Sequence, residues 1–200
     1  MPRPSTLERA ARFRRREDRQ LVIHFALLTF LGGSVGPIFA MFLGFAVFAL
    51  LPPAFGASLA LAGVALIFGA TQGAVLLPRF GRWPAWLLGT VVGGTPGLWL
   101  FLSSGFGRHD VAGALGIAAL GGLVLGLGQA LALRPLRVAL LPWVAGTTLA
   151  GVLARVTWLP LFDHSPVVFL VGPAVGLALG QTIGLAVLLV MLRRRTDDTP

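Results

Sequence analysis

Six long apolar blocks, almost free of charge, constrain the fold of this chain more than any other feature of its sequence. They cover residues 21–51, 55–77, 85–106, 111–133, 138–160 and 166–192. The first contains a single ionisable residue, His24, and the second and fourth contain none. Since about 20 apolar residues in a helix cross the hydrocarbon of a bilayer, the sequence predicts an all-α, polytopic membrane protein with six transmembrane helices.

Composition leaves room for one membrane domain and little else. Hydrophobic residues make up 56% of the 200 residues and charged residues 12%, which is too apolar for a soluble domain. We expect a basic N-terminal segment at 1–20, a six-helix transmembrane domain at 21–192 and a short tail at 193–200. The first segment is predicted to be either an interfacial helix on anionic headgroups or a disordered tail. The first span, which is too long for a signal peptide, is expected to kink at Pro37.

Arginine placement predicts the orientation of the six spans. All 16 basic residues are arginine. Six spans place the following on one side: Arg3, Arg9, Arg12, Arg14, Arg15, Arg16, Arg19, Arg79, Arg82, Arg134, Arg137, Arg193, Arg194 and Arg195. Only Arg108 falls in a connection on the other side. Both termini are therefore predicted to be cytoplasmic in a prokaryotic-type plasma membrane, with headgroups rather than nucleic acid explaining the charge of +9. Four tryptophans lie near span ends and are interpreted as interfacial anchors, namely Trp83, Trp86, Trp143 and Trp158.

An internal repeat follows from aligning Gln72 with Gln129. Seven positions then coincide over 26 residues without a gap, namely Gly69/Gly126, Gln72/Gln129, Pro78/Pro135, Trp86/Trp143, Gly89/Gly146, Thr90/Thr147 and Gly94/Gly151. Partial copies are "GQTIGL" at 180–185 and "FLGGS" at 30–34. The pattern predicts three repeated helical hairpins, with a glutamine on each even-numbered span.

These motifs resemble a loose group of uncharacterised bacterial multipass membrane proteins with repeated G-x-x-Q…P…W-x-x-G-T hairpins. The resemblance covers spans 2–6. In this chain Gly73, Ala130 or Thr182 follows the glutamine. The resemblance implies a multipass membrane fold and brings no activity, cofactor or site residue with it.

Stripes of small residues mark the even-numbered spans. The glycines concerned are Gly69, Gly73, Gly122, Gly126, Gly172, Gly176, Gly180 and Gly184. Small residues at spacing four allow close helix packing in lipid, where no hydrophobic force holds helices together. Because all three stripes lie on even spans, we expect those spans to meet one another around the axis of the repeat.

Four polar residues within the spans are candidates for solute binding. Gln72, Gln129 and Gln181 are predicted either to hold helices together through hydrogen bonds or to ring a solute site or pore. Arg155 lies about one turn from the outer end of span 5. It is interpreted as reaching Asp163 or a headgroup, or else as binding an anionic substrate.

Other chemistries have weaker support in the sequence. Two His-Asp pairs in outer connections, His109-Asp110 and Asp163-His164, are weak candidates for a metal site. Ser34 in "GGSVG" matches a nucleophile-elbow spacing but lies inside an apolar helix. The chain has no cysteine, and no set of cofactor ligands is recognised, so no cofactor is expected.

Two functions from different classes remain open on the sequence. The first is a non-catalytic membrane subunit or scaffold that packs against other membrane proteins through its glycine-rich faces. The second is a small-solute transporter or channel with its site on the axis of the repeat. An intramembrane enzyme is a third and weaker hypothesis.

Overall fold

Six α-helices account for nearly all of the residues that the structure describes, which confirms the predicted all-α architecture and the number of spans. The computed structural model describes residues 6–48, 51–80, 83–106, 110–134, 140–158 and 166–197. The helices are α1 (Thr6–Phe48), α2 (Pro53–Phe80), α3 (Trp83–Phe106), α4 (Val111–Leu133), α5 (Leu140–Trp158) and α6 (Pro166–Asp197). Each is long and apolar enough to cross a membrane.

The helices form a closed ring in chain order. Each packs against its neighbours along the chain, and α1 closes the ring by packing against α6. Adjacent helices are antiparallel. For example, Gly32 of α1 meets Thr71 of α2, whereas Gly36, one turn later, meets Val64, about two turns earlier. The α1 start and the α6 end therefore lie at one end of the bundle, which we call the terminal end, with the other being the far end.

The two terminal helices extend beyond the other four. At a rise of about 1.5 Å per residue, the 43-residue α1 measures about 65 Å and runs through Pro37 without ending there. The division predicted at residue 20 coincides with no helix boundary, because 6–20 continue α1. Likewise α6 continues through 193–197. Asp18 and Arg193 form an ion pair that joins the two extensions. Contact of residues 6–20 with headgroups remains a prediction.

Apolar side chains cover the outside of the bundle, and polar ones lie within it. Leu88, Leu131 and Leu141 are each at least 65% exposed on the outer surface. By contrast, all three glutamines of the spans are fully buried. This distribution is the reverse of that in a soluble protein and fits a bundle whose solvent is lipid.

Glycines bring neighbouring helices into backbone contact. Three pairs of small residues form an antiparallel ladder between α5 and α6, namely Gly146/Gly184, Ala150/Gly180 and Ala154/Gly176. At one level of this ladder a Cβ on Gly184 would lie 3.1 Å from Cα of Gly146. Beyond the Ala154/Gly176 end of the ladder, Thr157 donates a hydrogen bond to the carbonyl of Gly172 at 2.7 Å. The α5–α6 pair is therefore held by close van der Waals packing rather than by large side chains.

The glycine stripes face odd-numbered helices, so the even-numbered helices do not meet one another through their glycines as expected. They meet at the centre of the bundle through their glutamines instead. Gly69 of α2 lies against Thr90 of α3, where a Cβ added to the glycine would lie 2.9 Å from the threonine Cβ. Both Gly122 and Gly126 of α4 pack against Thr147 of α5. Gly73 is buried. The reason is topological: in a closed six-helix ring, each even helix has odd helices as its neighbours on both sides.

Candidate functional site: a glutamine ring beside an apolar cavity

The three glutamines of α2, α4 and α6 meet at the centre of the bundle. Gln72 donates to the side-chain oxygen of Gln181. Gln181 donates to that of Gln129 at 3.4 Å, and Gln129 donates to that of Gln72 at 3.0 Å. Each amide thus gives one hydrogen bond to the next and accepts one from the previous, so that the three bonds close a cycle. We call these three residues the glutamine ring.

Side chains of the odd helices use most of the remaining capacity of the glutamine ring. Gln72 donates its second amide hydrogen to the hydroxyl of Thr29, and Gln129 donates its second amide hydrogen to the hydroxyl of Thr90, both at 3.2 Å. The indole of Trp143 donates to Gln129 at 3.2 Å. Since an amide has two hydrogens to donate, Gln72 and Gln129 are saturated as donors. The glutamines therefore hydrogen-bond to one another and to the odd-numbered helices, which leaves few donors and acceptors for a solute.

An aromatic layer covers the ring on the side of the terminal end. Trp143 makes edge-to-face contacts with Phe25, at 5.8 Å between centroids, and with Trp86, at 5.3 Å. All three side chains are buried in one cluster. The interpretation of Trp86 and Trp143 as interfacial anchors is therefore wrong, as is that of Trp158, which is 1% exposed. They point inward because the bundle interior offers them ring contacts and, for Trp143, a hydrogen-bond acceptor.

Sequence reasoning missed the contribution of α1 to this site. The segment "FLGGS" is the predicted counterpart of the tryptophan–glycine–threonine element, but it is Thr29, just before it, that contacts the ring. A signal for this is present in the sequence. An aromatic residue precedes a threonine by four positions in α1, α3 and α5, as Phe25/Thr29, Trp86/Thr90 and Trp143/Thr147. One helical turn separates the members of each pair, so both lie on one face.

A cavity of about 280 Å³ lies on the other side of the glutamine ring, toward the far end. All six helices line it, and its wall is almost entirely apolar. Thr90, which accepts a hydrogen bond from Gln129, also lines the cavity and marks its inner limit. Leu102 and Trp158, near the ends of α3 and α5, mark the outer part of the cavity, meaning the part nearest the far end. Nothing in the sequence pattern indicates this cavity, because it arises where six separate helices fail to fill the centre.

Arg155 lies beside the outer part of the cavity. Its side chain is only 6% exposed, and its guanidinium carbon lies 5.1 Å from the centroid of the Trp158 ring, which lines the cavity. Trp158 in turn stacks on Phe101 at 5.2 Å. The Nε and Nη1 atoms of Arg155 are buried without a hydrogen-bond partner among the described residues. Asp163, the predicted partner, lies outside those residues.

The weaker candidates do not assemble into a second site within the described chain. His109, Asp163 and His164 fall outside it, and Asp110 caps α4 by accepting a hydrogen bond from the backbone nitrogen of Gly113 at 2.7 Å. The described residues contain no group of three metal-ligating side chains. Ser34 lies within α1, ten residues from the exposed His24 on the same helix.

Comparison with known proteins adds no functional information. No family model matches the chain, and neither curated proteins nor solved structures yield a significant match. Membership of the group with repeated glutamine hairpins stays a prediction. The geometry of the chain itself must therefore carry the functional argument.

Proposed function

We propose that this integral membrane protein is a carrier that binds a small, largely apolar solute in the cavity between its six helices. The observation that carries the proposal is the cavity itself, about 280 Å³ in volume and lined by every helix. Ligand sites are typically concave and mostly apolar with a few polar groups, and helical bundles place them between helices. Ligand pockets typically measure about 300–1,000 Å³, so a cavity near the lower end of that range suits a solute of roughly ten heavy atoms.

The glycine faces favour this proposal over a scaffold. A scaffold that recruits partners through its small residues must present them on its outer surface. Here Gly122, Gly126, Gly176 and Gly180 are buried against other helices of the same chain. Their role is to bring the six helices together, which is also what encloses the cavity.

The glutamine ring and the aromatic layer support a carrier rather than an open channel. Together they occupy the centre of the bundle between the cavity and the terminal end. A solute enters and leaves the cavity from the far end of the bundle. Transport across the membrane also requires the glutamine ring to open. We infer that the three hairpins are copies of one unit, since each supplies one glutamine to the ring.

Filling the cavity should abolish solute binding. Leu125 is 9% exposed and lines the cavity, so Leu125→Trp places a larger ring there. Uncharged probes of increasing size, such as benzene and naphthalene, should raise the unfolding temperature of the purified wild-type protein but not that of this variant. Leu127→Trp is the matched control, because Leu127 lies on the same helix and is 52% exposed on the outside. Equal probe effects in both variants would contradict the proposal.

Orientation is proposed from the arginines, with both termini cytoplasmic and the cavity nearer the outside. The chain lacks cysteine, so one introduced thiol reports one position. Gly81→Cys, in the α2–α3 connection, should be protected from a membrane-impermeant maleimide added to intact cells. Gly107→Cys, in the α3–α4 connection, should react. The opposite pattern would invert the proposed orientation.

A further inference from the structure

We infer that Arg155 recognises the oxyanion of an amphiphilic ligand whose hydrocarbon tail occupies the cavity. This inference rests on the proposed function, because the tail needs the cavity. It assigns the ligand a chemical class: an acyl chain of about eight carbons that ends in a carboxylate or phosphate.

The guanidinium of Arg155 is buried with two nitrogens unpartnered among the described residues. A charge buried within a transmembrane helix is costly unless it is paired or reaches water. An oxyanion that accepts from these nitrogens would supply the strong, charge-assisted bonds they lack.

All but one of the described acidic residues lie toward the terminal end of the bundle, away from Arg155, namely Glu8, Glu17, Asp18 and Asp197. Asp18 pairs with Arg193 at the terminal end, whereas Arg155 lies near the far end. Asp110 is nearer in the bundle, but it is exposed and its carboxylate caps the first turn of α4. The contact that Arg155 does make is with the face of Trp158, which holds the cation beside the cavity wall.

The apolar cavity and the charged guanidinium differ in polarity as the two ends of an amphiphilic ligand do. The cavity wall is apolar from Thr90 outward, so it offers a hydrocarbon chain a better environment than it offers a polar solute. The guanidinium lies over the face of Trp158, and Trp158 lines the part of the cavity nearest the far end. A chain that extends inward from Arg155 toward the glutamine ring therefore places each end of the ligand in a matching environment.

Octanoate, octanol and octyltrimethylammonium test this inference in the intact protein. Titrated into wild-type protein in neutral nanodiscs, octanoate should bind at least tenfold more tightly than octanol, and the cation should bind most weakly. Arg155→Gln should bring octanoate within about twofold of octanol and leave octanol binding unchanged. Arg155→Lys, which keeps the charge, should retain the preference for octanoate. Arg134→Gln, which removes an exposed arginine, should change neither affinity.

The outcomes separate this inference from the proposed function. If octanol binds and octanoate has no advantage, or if Arg155→Gln keeps the full advantage, the role of Arg155 is refuted and the cavity site stands. If no eight-carbon probe binds the wild type, both are refuted. If Arg155→Gln does not fold, the comparison of octanoate, octanol and octyltrimethylammonium in the wild type still tests the preference for an anion, and Arg155→Lys tests the role of the charge. A further arm with dihexanoylphosphatidylglycerol identifies the source of the anion: tighter binding than octanoate indicates a bilayer lipid, and weaker binding a free fatty acid.

Discussion

Replacing Gln129 with leucine should lower the free energy of unfolding by about 2–4 kcal/mol. Gln129 makes four hydrogen bonds: two within the glutamine ring, one to Thr90 and one from Trp143. Side-chain hydrogen bonds between membrane helices average about 0.6 kcal/mol each. The buried indole of Trp143 and the amide of Gln181 would also lose their partner, and orphaned buried polar groups add to the cost.

The cyclic arrangement makes a sharper prediction about double variants. Each glutamine takes part in two of the three ring bonds. The first substitution therefore breaks two bonds, the second breaks only the one that is left, and the third breaks none. Gln129→Leu combined with Gln181→Leu should cost less than the sum of the single effects, by about 0.6–1.7 kcal/mol.

Reversible unfolding in mixed micelles, followed by tryptophan fluorescence, measures these differences. Gln20→Leu is the control, because Gln20 is exposed on α1 and its replacement should change stability by less than about 0.5 kcal/mol. Strictly additive single effects would show that the glutamines act separately and that the ring is not a cooperative unit.

Replacing Gly180 with alanine should destabilise the bundle by about 3 kcal/mol or more. A Cβ at this position would overlap the backbone of Ala150 and would lie 2.7 Å from its Cβ. Backbone atoms cannot move aside as a flexible side chain can, so α5 and α6 must separate. Separation at one level also weakens the contacts of the ladder on either side, at Gly176 and Gly184.

Gly116→Ala is the matched control for this effect. Both substitutions replace a helical glycine with alanine and gain helix propensity, worth up to about 1 kcal/mol. Gly116 is exposed on α4, and a Cβ there meets nothing within 4 Å. Its replacement should leave stability unchanged or raise it slightly. The same micelle unfolding assay applies, and a loss at Gly116 as large as that at Gly180 would refute close packing as the cause.

The sequence is sufficient to predict the helices because the bilayer imposes a length and a polarity that each span must meet alone. The predicted span 111–133 has the same boundaries as α4. The ends of α1 and α6 are harder to predict, because a helix that leaves the hydrocarbon can continue past the last apolar residue. For that reason residues 6–20 and 193–197 join the adjacent helices.

The candidate site can be predicted only in part, because it depends on which helices are neighbours. Spacing alone identifies Gln72, Gln129 and Gln181, but their closure into a ring requires the geometry of the bundle. The inward position of Trp143 also comes from tertiary contacts, since a tryptophan near a span end fits an anchor and a core residue equally well. The cavity beside Arg155 has no sequence signal of any kind.

The amide chemistry of the glutamine ring has an electrical consequence. Amide groups neither take up nor release protons near neutral pH, and here each donor points at the next acceptor in a closed cycle. No member can pass a proton along by changing its charge. Buried polar groups of this kind can therefore stabilise the interior of a helical membrane bundle without making it a titratable path for protons.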